Sequence, residues 1–167
     1  MEATAEIVNR VANSGLITLN LEDFRPKGGR ILLDIKDQLF QGLILKEKDF
    51  REFLKNNDWE VYRGKFVAII CSADAIVPSW AYMLLASKLA PVAQYFIFGN
   101  LAELELEIFK QRLQREDFSK FENEKIVLKG CGDIPVAVYV EATRLLMPFV
   151  QKIMYGEPCS TVPIYKK

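Results

Sequence analysis

The chain has 167 residues, of which 50% are apolar, with 22 basic and 22 acidic side chains and no histidine. The balanced charge gives no overall basic field for nucleic acid or acidic lipid, so we expect neither as a partner. Without histidine there can be no Ser-His-Asp or Cys-His catalytic site and no imidazole metal ligand. A chain of this length and composition is expected to fold as one domain without a disulfide framework.

The amino terminus and the cysteines predict a cytoplasmic protein. Glu2, Glu6 and Arg10 interrupt the first apolar residues, whereas a secretory signal has an uninterrupted apolar stretch. No apolar run approaches the roughly 20 residues that cross a bilayer, so we expect no membrane association. The three cysteines are an odd number, and reduced thiols are therefore the expected state.

Residues 1–64 form an N-terminal half with short elements. Apolar residues at helical spacing predict a helix over residues 6–12 and another over residues 47–57. Runs rich in β-branched and other apolar residues predict strands over residues 16–21 and 31–35. The first helix and strand read as a short N-terminal addition to the remainder of the fold.

From residue 65 onward, strands alternate with helices. The unbroken apolar run at the start of this half is typical of a strand buried on both faces. Strands are predicted over residues 65–71, 94–98, 125–129 and 151–155, and helices over residues 78–89, 101–115 and 135–149. The alternation predicts βαβ units, so we expect a single α/β domain with one mostly parallel sheet of about five strands and flanking helices.

The second half contains an internal repeat, which indicates a tandem pair of βαβ units over residues 65–100 and 124–157. The first strands align Lys65 with Lys125 and Cys71 with Cys131. After a gap in the following loop, the register holds to the end of each unit. The paired residues are Pro78/Pro135, Tyr82/Tyr139, Leu89/Leu146, Pro91/Pro148, Gln94/Gln151 and Gly99/Gly156. Identical residues at a fixed offset and in identical elements favour duplication.

The cysteines follow three of these predicted strands. Cys71 ends one strand, Cys131 follows another, and Cys159 comes shortly after a third. Ligand sites of parallel α/β sheets form at the carboxyl ends of the strands, and neighbouring strands lie about 4.8 Å apart. We expect the strands before Cys71 and Cys131 to be neighbours, so that all three thiols lie in one pocket.

Three thiolates in one pocket would suit an iron–sulfur cluster or a zinc ion. No C-x-x-C pair is present, and three ligands are one short of a closed zinc site. The fourth ligand would come from Asp74, Asp133 or Glu157, from solvent, or from a partner protein. The sequence thus assigns Cys71, Cys131 and Cys159 as thiolate ligands or persulfide acceptors.

Two other interpretations of the cysteines remain open. They can be packing residues, since free cysteine is among the most buried residue types, and Cys71 continues a buried apolar run. Alternatively, Cys131 is the nucleophile of a thiol enzyme, activated by a helix start and Lys129, with a carboxylate or a lysine as general base. Gly130 and Gly132 leave the main chain around Cys131 uncovered, so it should be more accessible than Cys71.

Four segments of the chain resemble an uncharacterised family of Bacteroidetes, the domain-of-unknown-function family 2480. They are FQGLIL at residues 40–45, CSADAIVP at 71–78, KGCG at 129–132 and YGEPCSTVP at 155–163. The resemblance covers nearly the whole chain and brings no known site residue. It implies a small cytoplasmic protein with no established activity, encoded near sulfur-mobilisation genes for iron–sulfur cluster assembly.

The resemblance favours cluster or sulfur handling over zinc. The leading hypothesis is a non-catalytic accessory or carrier protein with a three-cysteine thiolate site. Its partners would be sulfur-mobilisation or cluster-assembly proteins. The alternatives are the cysteine-dependent thiol enzyme and a structural interaction module with packing cysteines.

Overall fold

The computed structural model describes residues 15–167, and the helix predicted over residues 6–12 lies outside them. The described chain forms two compact units. The central unit is Pro26–Ile108, and the C-terminal unit joins residues 15–25 to Phe109–Lys167. The α/β class and the mostly parallel pairing of the strands are confirmed.

The central unit is a parallel three-stranded sheet with helices in its crossover connections. The strand order is β2-β3-β4. Its elements are β2 (Arg30–Asp34), α1 (Glu47–Asn56), β3 (Phe66–Ile70), α2 (Ser79–Leu89) and β4 (Tyr95–Phe98). The apolar run of β3 is buried on both faces because Val67 and Ile69 join the core around Phe50 and Leu85, whereas Phe66 packs in a second cluster.

The C-terminal unit contains a four-stranded sheet in the order β1-β5-β6-β7. Strands β1, β5 and β6 are parallel, and β7 pairs antiparallel with β6 as an edge strand. Its strands are β1 (Leu16–Asn20), β5 (Lys125–Lys129), β6 (Lys152–Glu157) and β7 (Ser160–Lys166). Helix α4 (Val136–Leu146) connects β5 to β6, and α3 (Leu101–Gln114) precedes β5 in the chain. Short 3₁₀ helices lie at Leu21–Phe24, Lys36–Gln38, Trp59–Tyr62 and Phe118–Phe121.

The prediction of one sheet with about five strands is wrong, because the described strands form separate three-stranded and four-stranded sheets. Strand β3 lies between β2 and β4, whereas β5 lies between β1 and β6. The strands before Cys71 and Cys131 are therefore not neighbours. Apolar periodicity identifies a strand but does not say which distant strand it pairs with, and here β1 pairs with β5 across more than half of the chain.

The two βαβ segments share backbone details that fix how they correspond. Gly64 and Asn123 both adopt left-handed backbone conformations, with φ of 66° and 62°. Each residue donates its amide to a carbonyl that lies just before the second strand of its segment. Gly64 donates to Val92, before β4, and Asn123 donates to Phe149, before β6, both at 2.9 Å. The position needs a residue that tolerates positive φ, which glycine and asparagine do.

The alignment of the two segments by these residues differs by one residue, in the first strand, from the alignment that the sequence suggests. Matching Gly64 with Asn123 also matches Phe66 with Lys125, and these two residues hold the same place in their ladders. The alignment of Lys65 with Lys125 that the sequence suggests is thus displaced. In the structural alignment, Ser72 corresponds to Cys131, and Cys71 corresponds to Gly130.

Glu141 ties α4 to α3 through hydrogen bonds. Gln114 Nε2 donates to Glu141 Oε1 at 3.0 Å, and Arg144 Nη2 donates to the same oxygen at 2.7 Å. The bonds from Arg144 and then Gln114 lower the pKa of Glu141 from 4.5 to about 2. A lowered folded-state pKa contributes stability that is complete above the unfolded pKa and is lost as pH falls from 4.5 towards about 2.

We expect Glu141→Gln to lower the free energy of unfolding at pH 7 by about 1 kcal/mol, after allowance for partial solvent screening. The variant should also lose less stability than the wild type between pH 5 and pH 2. Urea denaturation at a series of pH values measures both effects. The control is Glu47→Gln, which breaks an exposed pair with Arg51 at 2.8 Å and should change stability little. Equal pH dependence in wild type and Glu141→Gln would contradict the assignment.

Candidate functional site: the thiol edge of the C-terminal unit

Cys131 lies in the loop between β5 and α4, and its side chain is exposed. A turn closes the loop, since the Ile134 amide donates to the Cys131 carbonyl at 3.2 Å. Gly130 is closely covered by side chains: a Cβ there would lie 2.5 Å from Ile134 Cδ1 and 2.7 Å from the Tyr139 hydroxyl, so these side chains would have to shift. Nothing lies within 4 Å of a Cβ at Gly132. The loop is therefore packed on one side of Cys131 and open on the other.

Cys159 lies at the tip of the hairpin that joins β6 to β7, and it too is exposed. Glu157 pairs with Ser160, so Pro158 and Cys159 form a two-residue turn. Gly156 has φ of +117°, and a Cβ there would lie 2.7 Å from the Ser160 carbonyl oxygen. The tight chain reversal that presents Cys159 thus depends on a glycine at position 156.

The ends of β5 and β6 are held together next to these thiols. Lys129 Nζ lies 3.3 Å from each carboxylate oxygen of Glu157. Cys131 and Cys159 each follow a member of this ion pair by two residues, a reach of at most about 7 Å of extended chain. The structure therefore brings Cys131 and Cys159 to the same edge of one sheet, which we call the thiol edge.

Cys71 is placed differently. It follows β3 in the central unit, is half-buried, and packs against the apolar core of that unit. Its Sγ donates a weak hydrogen bond to the Ala73 carbonyl at 3.8 Å. Within residues 15–167, no group of three histidine, cysteine, aspartate or glutamate side chains is arranged to hold a metal ion. Cys71 is therefore not a member of the thiol edge.

Two of the three carboxylates that the sequence suggests as a fourth ligand form ion pairs. Asp133 lies 3.0 Å from Arg25 Nη2, and Glu157 is bound by Lys129. Asp74 lies in the exposed loop after β3, in the central unit. Asp133 and Glu157 thus fix the loop and the strand ends beside the thiols.

At the position of the central unit that matches Cys131, the hydroxyl of Ser72 and the carboxylate of Asp34 form a hydrogen-bond network. The Ser72 hydroxyl donates to Asp34 Oδ2 at 2.5 Å, and the amides of Ser72 and Lys36 donate to Asp34 Oδ1, both at 3.1 Å. Burial raises the pKa of Asp34, but the bonds from Ser72 and Lys36 outweigh it, and the pKa is lowered. Ser72 and its counterpart Cys131 are both exposed, and the Ser72 hydroxyl is held by its bond to Asp34.

An open apolar groove adjoins the thiol edge. Its volume is about 520 Å³, and it is lined by Leu128, Val136, Tyr139, Val140, Thr143, Tyr155 and Ile164. The rings of Tyr139 and Tyr155 meet edge to face, with centroids 5.7 Å apart. Burial raises the pKa of Tyr139, and the nearby Tyr155 and Cys131 raise it further. The Tyr139 hydroxyl therefore links the groove to the Cys131 loop.

Apolar spacing in the sequence does not indicate this groove. The aromatic residues Tyr155 and Phe98, at matching positions of the two βαβ segments, are 46% and 69% exposed. Val136 and Val140 on α4 are 77% and 65% exposed. An apolar helix surface is normally expected to be buried, so spacing alone could not show that this one is open.

Both units of this fold fall within a single family match. Residues 5–167 match the family described as protein of unknown function DUF2480. The chain belongs to this family. No curated protein and no solved structure is significantly similar to it. None of the described helices is long and apolar enough to span a membrane.

Proposed function

We propose that this protein is a non-catalytic accessory or carrier protein that accepts sulfur, or holds an iron–sulfur cluster as cargo, at the thiol edge. Cys131 and Cys159 are the acceptor thiols. The observation that carries the proposal is that both thiols are exposed and follow adjacent strand ends joined by the Lys129–Glu157 ion pair. Two thiolates leave coordination positions for a donor or recipient protein to complete.

Sulfur transfer to this edge balances without an added oxidant. The Cys131 thiolate attacks the outer sulfur of a donor persulfide. The new S–S bond forms as the donor S–S bond breaks, and the donor leaves as a thiolate. Cys159 on the neighbouring strand end is the second acceptor.

The apolar groove supports a role that involves protein partners. Exposed valine and tyrosine side chains line a concave surface, which suits an apolar side chain of a docked protein. The groove adjoins the Cys131 loop through Tyr139, so a protein docked there would present its own sulfur near the thiol edge. The partners proposed are those that mobilise sulfur or assemble clusters.

The thiol-enzyme alternative has less support from these contacts. A general base for Cys131 would have to be a carboxylate or a lysine, because the chain has no histidine. Asp133 is paired with Arg25 and Lys129 with Glu157, so neither is poised to take a proton from Cys131. The packing interpretation fits Cys71, which touches the core, better than the two exposed thiols.

We infer that the two βαβ segments, residues 65–100 and 124–157, are copies of one ancestral unit. Their matching left-handed residues and matching amide bonds support this inference. In this reading only the C-terminal copy carries the exposed thiols, and the central copy carries Ser72 at the position of Cys131. The C-terminal copy would then handle sulfur, and the central copy would have a structural role.

The experiment that tests the proposal is anaerobic purification followed by assay of iron, zinc, acid-labile sulfide and persulfide sulfur. Wild-type protein should carry persulfide sulfur or a cluster, or accept sulfur from inorganic polysulfide. The double variant Cys131→Ala, Cys159→Ala should lose nearly all of it, and Cys71→Ala should keep it. If the double variant retains the wild-type amount, or Cys71→Ala alone abolishes it, the proposal fails.

A further inference from the structure

Three lysines lie side by side in the C-terminal sheet, where β5 and β6 begin and β7 ends. Lys125 on β5 pairs with Lys152 on β6, and Lys152 pairs with Lys166 on β7. Residues paired in this way lie on the same face, and neighbouring strands are about 4.8 Å apart. We call Lys125, Lys152 and Lys166 the lysine row. It lies at the edge of the sheet opposite to the thiol edge.

Like charges placed directly opposite each other across strands destabilise a sheet. Within the described chain, none of these three ammonium groups forms an ion pair. The chain as a whole has as many acidic as basic side chains, so carboxylates are not scarce. Three adjacent positive charges, with no counter-charge among residues 15–167, make this place suited to an anion that carries several charges.

In the central unit, the cation at the start of the sheet is paired with a carboxylate. Arg30 on β2 pairs with Phe66 on β3, as Leu16 on β1 pairs with Lys125 on β5. The guanidinium of Arg30 lies over the Phe66 ring, 5.1 Å from its centroid, and its Nε lies 2.9 Å from Glu105 Oε2. A single cation is thus neutralised within its own unit, whereas the lysine row is not neutralised by any residue that the structure describes.

The lysine row opens on a cavity of about 510 Å³. The described residues that line it are the three lysines, Leu16, Gln151 and Met154, and none of these is acidic. Sites for small molecules have volumes of about 300–1,000 Å³ and combine an apolar surface with a few polar groups. Leu16 and Met154 supply the apolar surface, and the ammonium groups supply the positive charge.

We propose that the cavity at the lysine row binds a small molecule that carries more than one phosphate charge. Lysine binds phosphate as a point charge, and three such charges in one concave site suit a polyphosphate or a phosphorylated metabolite. The concave shape and the zero net charge of the chain favour a small ligand over nucleic acid, which needs an extended basic surface. This site is separate from the thiols and does not depend on sulfur handling.

The test is calorimetric titration with sodium tripolyphosphate as the probe. We expect wild-type protein to bind it at low salt and more weakly as salt rises. The triple variant Lys125→Gln, Lys152→Gln, Lys166→Gln should bind at least about tenfold more weakly. The loss of even one charged hydrogen bond weakens the binding affinity by about a factor of ten. The matched control is Lys48→Gln, Lys55→Gln, Lys88→Gln, which removes the same charge from exposed positions of the central unit. It should bind within about twofold of wild type.

A second readout tests the repulsion without any ligand. Lys152 is the middle lysine, so Lys152→Gln should raise the Tm of the ligand-free protein by about 1–3 °C at low salt. No binding of tripolyphosphate by wild type, equal loss in the control variant, or a lowered Tm for Lys152→Gln would each overturn the proposal. Tighter binding of single-stranded DNA than of tripolyphosphate, lost in the triple variant, would assign the row to nucleic acid instead.

Discussion

Gly156→Ala should lower the free energy of unfolding by about 2–4 kcal/mol, the largest effect of any single methyl group that we expect in this chain. Gly156 has φ of +117°, where residues with a side chain are strained. The added Cβ would also lie 2.7 Å from the Ser160 carbonyl oxygen, and a backbone atom cannot move aside as a flexible side chain can. Relief of this contact requires the hairpin between β6 and β7 to shift.

Urea denaturation followed by circular dichroism measures the loss. The matched control is Gly132→Ala in the loop of Cys131, where nothing lies within 4 Å of the new methyl group and φ is not in the left-handed region. That variant should stay within about 0.5 kcal/mol of wild type. Because Gly156 positions Cys159, its substitution should also reduce sulfur acceptance at Cys159. Equal stability of the two glycine variants would contradict the described hairpin.

The sequence predicts individual elements well because their signals are local. The buried run of β3 and the alternation of strands with helices are read directly from apolar spacing. The strand over residues 151–155 is present as β6 (Lys152–Glu157), and its correspondence to β4 helps to identify it. Both long crossover helices begin one residue later than predicted, since Pro78 and Pro135 are the caps and not the first helical residues.

The element that the sequence missed is β7. Its segment contains Pro163, which removes an amide from the ladder and argues against a strand. An edge strand tolerates proline because one of its sides has no partner, and β7 is such an edge. The signal that could have found it is the turn at Pro158 and Cys159, which follows β6 directly and precedes a run of β-branched residues.

The site could be predicted only in part, because strand pairing is not local. The glycines around Cys131 correctly indicated an accessible thiol, and Cys131 is indeed more exposed than Cys71. The membership of Cys71 in a different sheet from the other thiols depends on which strands pair, and sequence spacing does not contain that information. The lysine row is invisible for the same reason, since Lys125, Lys152 and Lys166 become neighbours only through the sheet register.

The second large effect expected is a difference in thiol reactivity between the two units. Cys131 and Cys159 are exposed, whereas Cys71 packs against the core and donates to Ala73. We expect iodoacetamide to modify Cys131 and Cys159 at least about tenfold faster than Cys71 in the reduced native protein, because alkylation requires an accessible sulfur. Cys71→Ala should cost about 1 kcal/mol of stability, and Cys131→Ala should leave folding nearly unchanged.

The control for this comparison is the same reaction in denaturant. Unfolding exposes all thiols equally, so the three rates should converge there if folding causes the difference. Gly132→Ala gives a native control, because it alters the Cys131 loop without removing a thiol or meeting a neighbouring atom. It should keep the order of labelling seen in the wild type.

The central claim is that the working thiols are the two at the thiol edge. Its most direct test is the time course of alkylation of the reduced native protein, resolved by peptide mass spectrometry. Cys131 and Cys159 should be labelled first, with Cys71 following slowly. After loading with polysulfide sulfur, the label on Cys131 and Cys159 alone should be carried on an added sulfur atom and be released by dithiothreitol. Labelling of Cys71 first, or sulfur found on Cys71 and absent from the other two, would contradict it.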